Sequence, residues 1–231
     1  MTGHIIRLTI FLFIFLAGCY PFMRTDVTKY ITPVPTTTKT LDIPKYPSEH
    51  PYTYWHFSKQ KEAQLKLSSP ERNADSVLYR VWITNPAGPQ NQPHGLIEIK
   101  LDSSNWTGQL ILMRVDIDAR ELKETITSSK TWTLTPKTSW TYLVDSLFKL
   151  QIEVLPTDEK IPNYYTEETR YNNNATTFSF EYATRTNYRF YQYSNIYRAP
   201  SKFWQPKYVI SILDLLESEI KWDSIAKKHF K

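Results

Sequence analysis

Leu78-Tyr79-Arg80-Val81-Trp82-Ile83-Thr84 and Leu96-Ile97-Glu98-Ile99-Lys100-Leu101 are the stretches that decide the fold. In the first, Tyr79, Val81 and Ile83 alternate with Arg80, Trp82 and Thr84; in the second, Ile97, Ile99 and Leu101 alternate with Glu98 and Lys100. A period of two residues is that of a strand with one face buried. Between them, Asn85 to Gly95 (NPAGPQNQPHG) is too rich in Pro and Gly to be anything but a loop. A third run puts Ile111, Met113, Val115 and Ile117 on one face, opposite Leu112, Arg114 and Asp116, and a short strand is expected over Thr131 to Thr135.

Downstream the period changes. Thr135-Pro136 signals a helix start, and Trp140, Leu143, Val144 and Leu147 recur at helical spacing, which predicts a helix from Ser139 to about Lys149. Leu150 to Pro156 (LQIEVLP) returns to alternation. Phe178, Phe180 and Tyr182 share a strand face, and the chain turns through Thr184 to Asn187 into Asn187 to Ser194 (NYRFYQYS), a predicted hairpin. Pro206 opens a last long helix with Val209, Ile212, Leu213, Leu216 and Ile220 in one stripe, and Asp223 caps a short terminal helix ending in Lys227, Lys228 and His229. The expectation is an α+β domain: an antiparallel sheet with two main helices packed on one face.

The N-terminus carries a different signal. His4 and Arg7 precede an apolar run from Leu8 to Leu16, and Leu16-Ala17-Gly18-Cys19 closes it with the only cysteine of the 231 residues. A basic segment, an apolar core and small residues before a cleavage point make a secretory signal peptide, and the run is too short for the roughly 20 residues of a spanning helix. Leu-Ala-Gly-Cys is a lipobox, and in it the chain resembles the bacterial lipoproteins. That resemblance implies cleavage of residues 1–18, diacylglyceryl (palmitate-class) lipidation of Cys19, and membrane attachment through that lipid. Two or three acyl chains hold a protein on a bilayer where one does not. By the same resemblance Tyr20, not an aspartate, after the cysteine implies the outer membrane, and the absence of a following acidic cluster implies its periplasmic face. The tail half, with its helix, hairpin and closing amphipathic helix, also resembles uncharacterised lipoproteins of Gram-negative bacteria.

Residues 19–51 read as the lipidated cysteine and a tether rich in Pro and Thr, and residues 52–231 as one globular domain opening with Tyr52, Tyr54, Trp55 and Phe57. Prolines favour extended backbone at about 3.1 Å per residue, enough to lift the domain off the bilayer. A second reading lays part of that tether on the domain as an irregular strand. With Cys19 committed to lipid no internal disulfide can form, so the core must hold by burial, and aromatic residues at 15% of the chain supply the rings for it.

Few reaction classes survive. The net charge is +5, or +4 once Arg7 leaves with the signal peptide, with no polybasic run, and an exported chain meets no nucleic acid. Five scattered glycines make no phosphate cradle, no G-x-S-x-G elbow is present, and His50, His56, His94 and His229 fall at no metal-ligand spacing. Neither a cofactor nor a metal is expected. Asp116 and Asp118, followed by Glu121, would share a strand face as a carboxylate pair requires, but the apolar run beside them marks that face as solvated. The remaining candidate is the hairpin: if Phe178, Phe180 and Tyr182 face the core, one of two sets, Tyr188 with Phe190 or Arg189 with Tyr191 and Tyr193, must face outward, and an outward row of Arg189, Tyr191 and Tyr193 could stack on a sugar or dock a protein. The expected role is therefore non-enzymatic, binding a protein or glycan partner or supporting envelope architecture. Alternatives are a carbohydrate- or ligand-binding lipoprotein and a hydrolase with an unrecognised site.

Overall fold

The alternating stretches do form strands. The computed structural model describes residues 39–46, 49–73, 76–85, 93–118, 120–164, 175–199 and 202–229; the signal segment, Cys19 and the tether through Thr38 lie outside the described residues. The strands are β1 (Thr40–Asp42), β2 (Leu78–Thr84), β3 (His94–Asp102), β4 (Asn105–Asp118), β5 (Lys123–Thr133), β6 (Thr177–Ala183) and β7 (Asn187–Ser194). They make one sheet in the order β1-β7-β6-β2-β3-β4-β5, antiparallel throughout except for the β1 and β7 pair. The helices are α1 (His50–Gln64), α2 (Pro70–Asn73), α3 (Trp140–Lys149), α4 (Trp204–Ile220) and α5 (Trp222–His229). The class is α+β.

The two faces of the sheet are both covered, and alternation sorts the side chains between them. Tyr79, Val81 and Ile83 of β2, Phe178 and Phe180 of β6, and Tyr191 and Tyr193 of β7 belong to a core that also holds Leu143, Val144 and Leu147 of α3 and Val209, Ile212, Leu213 and Leu216 of α4. Phe180 and Tyr191 stack with ring centres 5.0 Å apart. The opposite set, Leu78 and Trp82 of β2, Leu96 of β3, Ile111 and Met113 of β4, and Tyr188 and Phe190 of β7, packs beneath Tyr54 and Trp55 of α1 and the following Leu65 and Leu67. Sequence reading foresaw no helix over 50–64. Its residues show little apolar periodicity, because α1 meets the sheet through lysine and glutamate as much as through rings.

Several local expectations change. The span read as tether to Pro51 includes β1, which adds to the open edge of β7 with Thr40 opposite Asn187 and Asp42 opposite Arg189, and α1 opens at His50 with Pro51 in its first turn. Ser139 caps α3 by accepting a hydrogen bond from Tyr142 N, so that helix starts four residues after Pro136 and the proline is a buried connector. Leu150 to Pro156 is no strand: Gln151 takes φ 58°, and Ile152 and Leu155 are buried in a tight turn. The last strand before α3 runs from Lys123, not Thr131, pairing along β4 as a long hairpin. Lys221, at φ 54°, ends α4, so Asp223 lies inside the first turn of α5 and not at its cap.

Gly108 of β4 supports the ring that opens α3. A methyl group there would lie 2.4 Å from Cη2 of Trp140 and 3.3 Å from the carbonyl oxygen of Glu98. Overfilling a packed contact costs about 1–3 kcal/mol. Gly108→Val is expected to lower the thermal midpoint by several degrees, and adding Trp140→Leu to recover part of that loss; a Gly108→Val protein melting with the parent would show the contact to be slack.

Candidate functional site

The hairpin row is interior. Tyr191 and Tyr193 are 1% and 0% exposed, and burial raises both phenols well above their ordinary range. The Tyr191 hydroxyl donates to the carbonyl of Ile152. Arg189 is half-buried: its Nε donates to Asp42 Oδ2 at 2.8 Å, and its other nitrogens donate to the carbonyls of Glu153 and Leu155. Burial alone would raise the Asp42 carboxyl, but the Arg189 and Lys160 charges hold it below the usual carboxylate range. Of the three residues expected as a ligand platform, Arg189 and Tyr191 thus lock β1 and the turn after α3 onto the hairpin, and Tyr193 is a core ring. The expectation failed because it assumed a sheet with one free face.

Asp116 and Asp118 are exposed, and Asp118 accepts from the backbone N–H groups of Arg120 and Glu121 as a turn cap. His56 contacts Gln60 within α1. No three His, Cys, Asp or Glu side chains among the described residues converge as metal ligands. Cys19 lies outside the described residues.

Beneath α1 the structure assembles charges that periodicity concealed. Arg80 of β2 has no exposed side-chain surface; its Nε lies 2.6 Å from Glu98 Oε2, and its Nη1 lies 2.9 Å from Glu62 Oε2 and 3.5 Å from Glu181 Oε2. Lys59 Nζ reaches Glu62, Glu71 and Glu181 at 3.1, 3.2 and 3.0 Å. Tyr188 donates to Glu181 and Gln109 to Glu98, at 3.0 and 2.8 Å. Burial pushes the Glu181 carboxyl up, yet Lys59 and Arg80 together draw it below its ordinary 4.5. Glu62 ends above that value, because burial and the Glu181 charge outweigh its cations. Alternation sets Arg80 and Glu98 opposite the apolar faces of their own strands; what it could not show was that a helix covers them.

One groove opens on the other side of the sheet. Its floor is Ile83, Gly95 and Phe178 from the ends of β2, β3 and β6 with Leu112 from mid-β4, and Trp222 and Ala226 of α5 form one wall. It holds about 880 Å³, within the range of small-ligand sites. Gly95 sets the depth: a methyl there would meet Ile83 Cδ1 at 3.2 Å and Leu112 Cδ2 at 3.6 Å. On the rim, Asn195 turns the chain at φ 56° into a 3-10 turn, Ile196–Arg198, that puts Tyr197 (71% exposed) and Arg198 at the mouth. Lys227 on the facing rim is paired with Asp223, whereas Arg198 has no ion partner among the described residues. Asn85 donates to Pro93 O at 2.7 Å and accepts from Thr176 at 2.9 Å, fixing the far lip. The residues come from six separated stretches, so only the Asn-Ile-Tyr-Arg run after β7 was a signal in the sequence.

The fold and the groove define a class no narrower than an α+β domain with an amphipathic cleft. Compared with protein-family models, with curated proteins and with solved structures, the chain gives no match.

His94 of β3 is buried beside Lys61, and burial, with the Lys61 charge second, moves its pKa from the ordinary 6.5 to about 3. An unfolded chain protonates this ring near 6.5 while the folded one does not, so stability falls as pH drops from 6.5 towards about 3. Glu181, depressed in the fold, adds a loss of the same sign below 4.5, and Glu62, raised in the fold, opposes it. The thermal midpoint is expected to fall on acidification, and His94→Gln to flatten the slope between 6.5 and about pH 5, above most carboxylate titration. An unchanged slope in that variant would contradict the assignment to His94.

Proposed function

We propose that this chain is a non-catalytic binding lipoprotein of the bacterial outer membrane, anchored through lipid on Cys19 at the periplasmic face, whose groove takes a ligand with an apolar body and one acidic group. The observation that carries the reading is the groove itself: an apolar floor of Ile83, Leu112 and Phe178 beneath an arginine, Arg198, with no ion partner among the described residues. An apolar body excludes water from that floor, and a carboxylate or phosphate at the rim gains charge-assisted hydrogen bonds from the guanidinium. Of the acid and base side chains on the described lining, Asp223 and Lys227 are paired with each other, which favours holding over turnover. In this arrangement α3 and α4 share one face of the sheet as the back of the domain, and α5 is one side of the cleft. A Leu-Ala-Gly-Cys lipobox supports the anchor, and the prolines between Cys19 and α1 support a reach away from the bilayer.

Titration with a fluorescent fatty acid tests the groove. The parent protein is expected to bind it with a blue shift; Arg198→Glu to weaken binding about tenfold or more, as loss of a charge-assisted bond implies; and Ala226→Trp, which fills the wall, to abolish it. Equal affinity in all three proteins would sink the reading, and a glycan-array signal lost in Tyr197→Ala would replace it with a sugar site. Independently, metabolic palmitate labelling is expected to mark the parent and not Cys19→Ala, and label persisting in the variant would refute the anchor.

A further inference from the structure

The sheet has a half-covered edge, and we propose that the open half pairs with the same strand of a second copy to make an antiparallel dimer. β5 has β4 on one side only. Along its first part α1 supplies the missing strand with side-chain amides: Gln60 donates to Leu122 O and accepts from Glu124 N, and Gln64 donates to Glu124 O and accepts from Ile126 N, at 2.7 to 2.9 Å. The cover then stops. The β4 and β5 register shifts between Arg114 and Val115, leaving Thr127 as a bulge, after which the pairing runs from Arg114 opposite Ser128 to Gln109 opposite Thr133. Leu134 N donates to Gly108 O, which fixes the parity: the even residues bond inward to β4, and Ser129, Thr131 and Thr133 direct their N–H and C=O groups outward. None of these outward groups has a partner among the described residues.

The charges select both the occupant and the register. Lys130 and Trp132 flank Thr131, on the face shared with Leu112 and Leu110, and Lys130 Nζ already lies 5.1 Å from the Trp132 ring centre. Two copies related by a two-fold axis at Thr131 would place Thr131 opposite Thr131 and Ser129 opposite Thr133, so all six outward residues exchange hydrogen bonds. Each Lys130 then faces the Trp132 of the other copy, a cation over an aromatic ring. Centring on Lys130 instead leaves the outward groups of Thr133 without the full set of partners and sets the two lysines opposite each other. The register centred on Thr131 is the one that pairs Ser129, Thr131 and Thr133 of both copies and keeps the lysines apart, and the bulge at Thr127 limits pairing beyond it. This inference is independent of the groove.

Cysteine pairing in the full chain reads the register. Hydrogen-bonded antiparallel partners have Cα atoms about 5.5 Å apart, within disulfide range of about 4.4–6.8 Å, whereas two Ser129 residues in this register, offset by four residues along the strands, lie about 14 Å apart. Thr131→Cys in isolated membranes is expected to give a disulfide dimer on mild oxidation and Ser129→Cys to give several-fold less, with the unsubstituted chain as the blank for Cys19. Thr131→Pro removes an outward N–H, which an edge strand tolerates, and is expected to convert a detergent-extracted dimer to monomer by light scattering with an unchanged circular dichroism spectrum. The proposal is overturned if Thr131→Cys yields no more dimer than Ser129→Cys, if it crosslinks chiefly to another protein, or if the unsubstituted chain is monomeric.

Discussion

Arg80 is the residue on which this structure depends. A guanidinium with no exposed surface is held by Glu98 on β3, Glu62 on α1 and Glu181 on β6, so four elements meet at one cation. Taking such charges out of water is expensive, and the cost is recovered only when geometry and hydrogen bonds are complete. Lys59, Tyr188 and Gln109 complete them. Apolar packing would let α1 slide along the sheet; this cluster admits one placement. Two-sided cover follows, in a chain whose single cysteine is at position 19.

That cover decides where function can sit. With α1 over one face and a core that takes in residues of α3 and α4 on the other, the middles of β2, β3, β6 and β7 are interior, and Tyr191 and Tyr193 become core rings instead of a platform. Chemistry accessible to a partner is pushed to the periphery: the strand ends beside α5, the turn bearing Arg198, and the uncovered half of β5. The groove and the edge are separate features on separate residues. A lipid at Cys19 and a proline-rich approach to β1 would present both away from the bilayer.

Much of the fold was legible. Alternation in Leu78 to Thr84 and Leu96 to Leu101, the hairpin about Thr184 to Asn187, and the stripes of α3 and α4 all appear where their spacing places them, because each has one apolar face and a turn chemistry that agrees with it. Helix α1 was not legible, since lysine and glutamate at 59, 61 and 62 read as solvated residues until their partners across the sheet are known. The hairpin row erred for the same reason: Arg189 looked like an outward charge, and its partner Asp42 lies 147 residues earlier in a stretch that reads as linker. The groove is assembled from distant strand ends and left only Asn195 to Arg198 as a trace.

Hydrogen exchange of an Arg80→Met protein tests most directly whether the buried charge cluster is what seats α1 on the sheet. Losing one partner of a buried ion cluster costs about 3–5 kcal/mol. The account predicts that amides of α1 lose protection by orders of magnitude more than those of β6 and α4, with the α4 side still folded. Uniform loss across the domain, or α1 protected as in the parent, would contradict it.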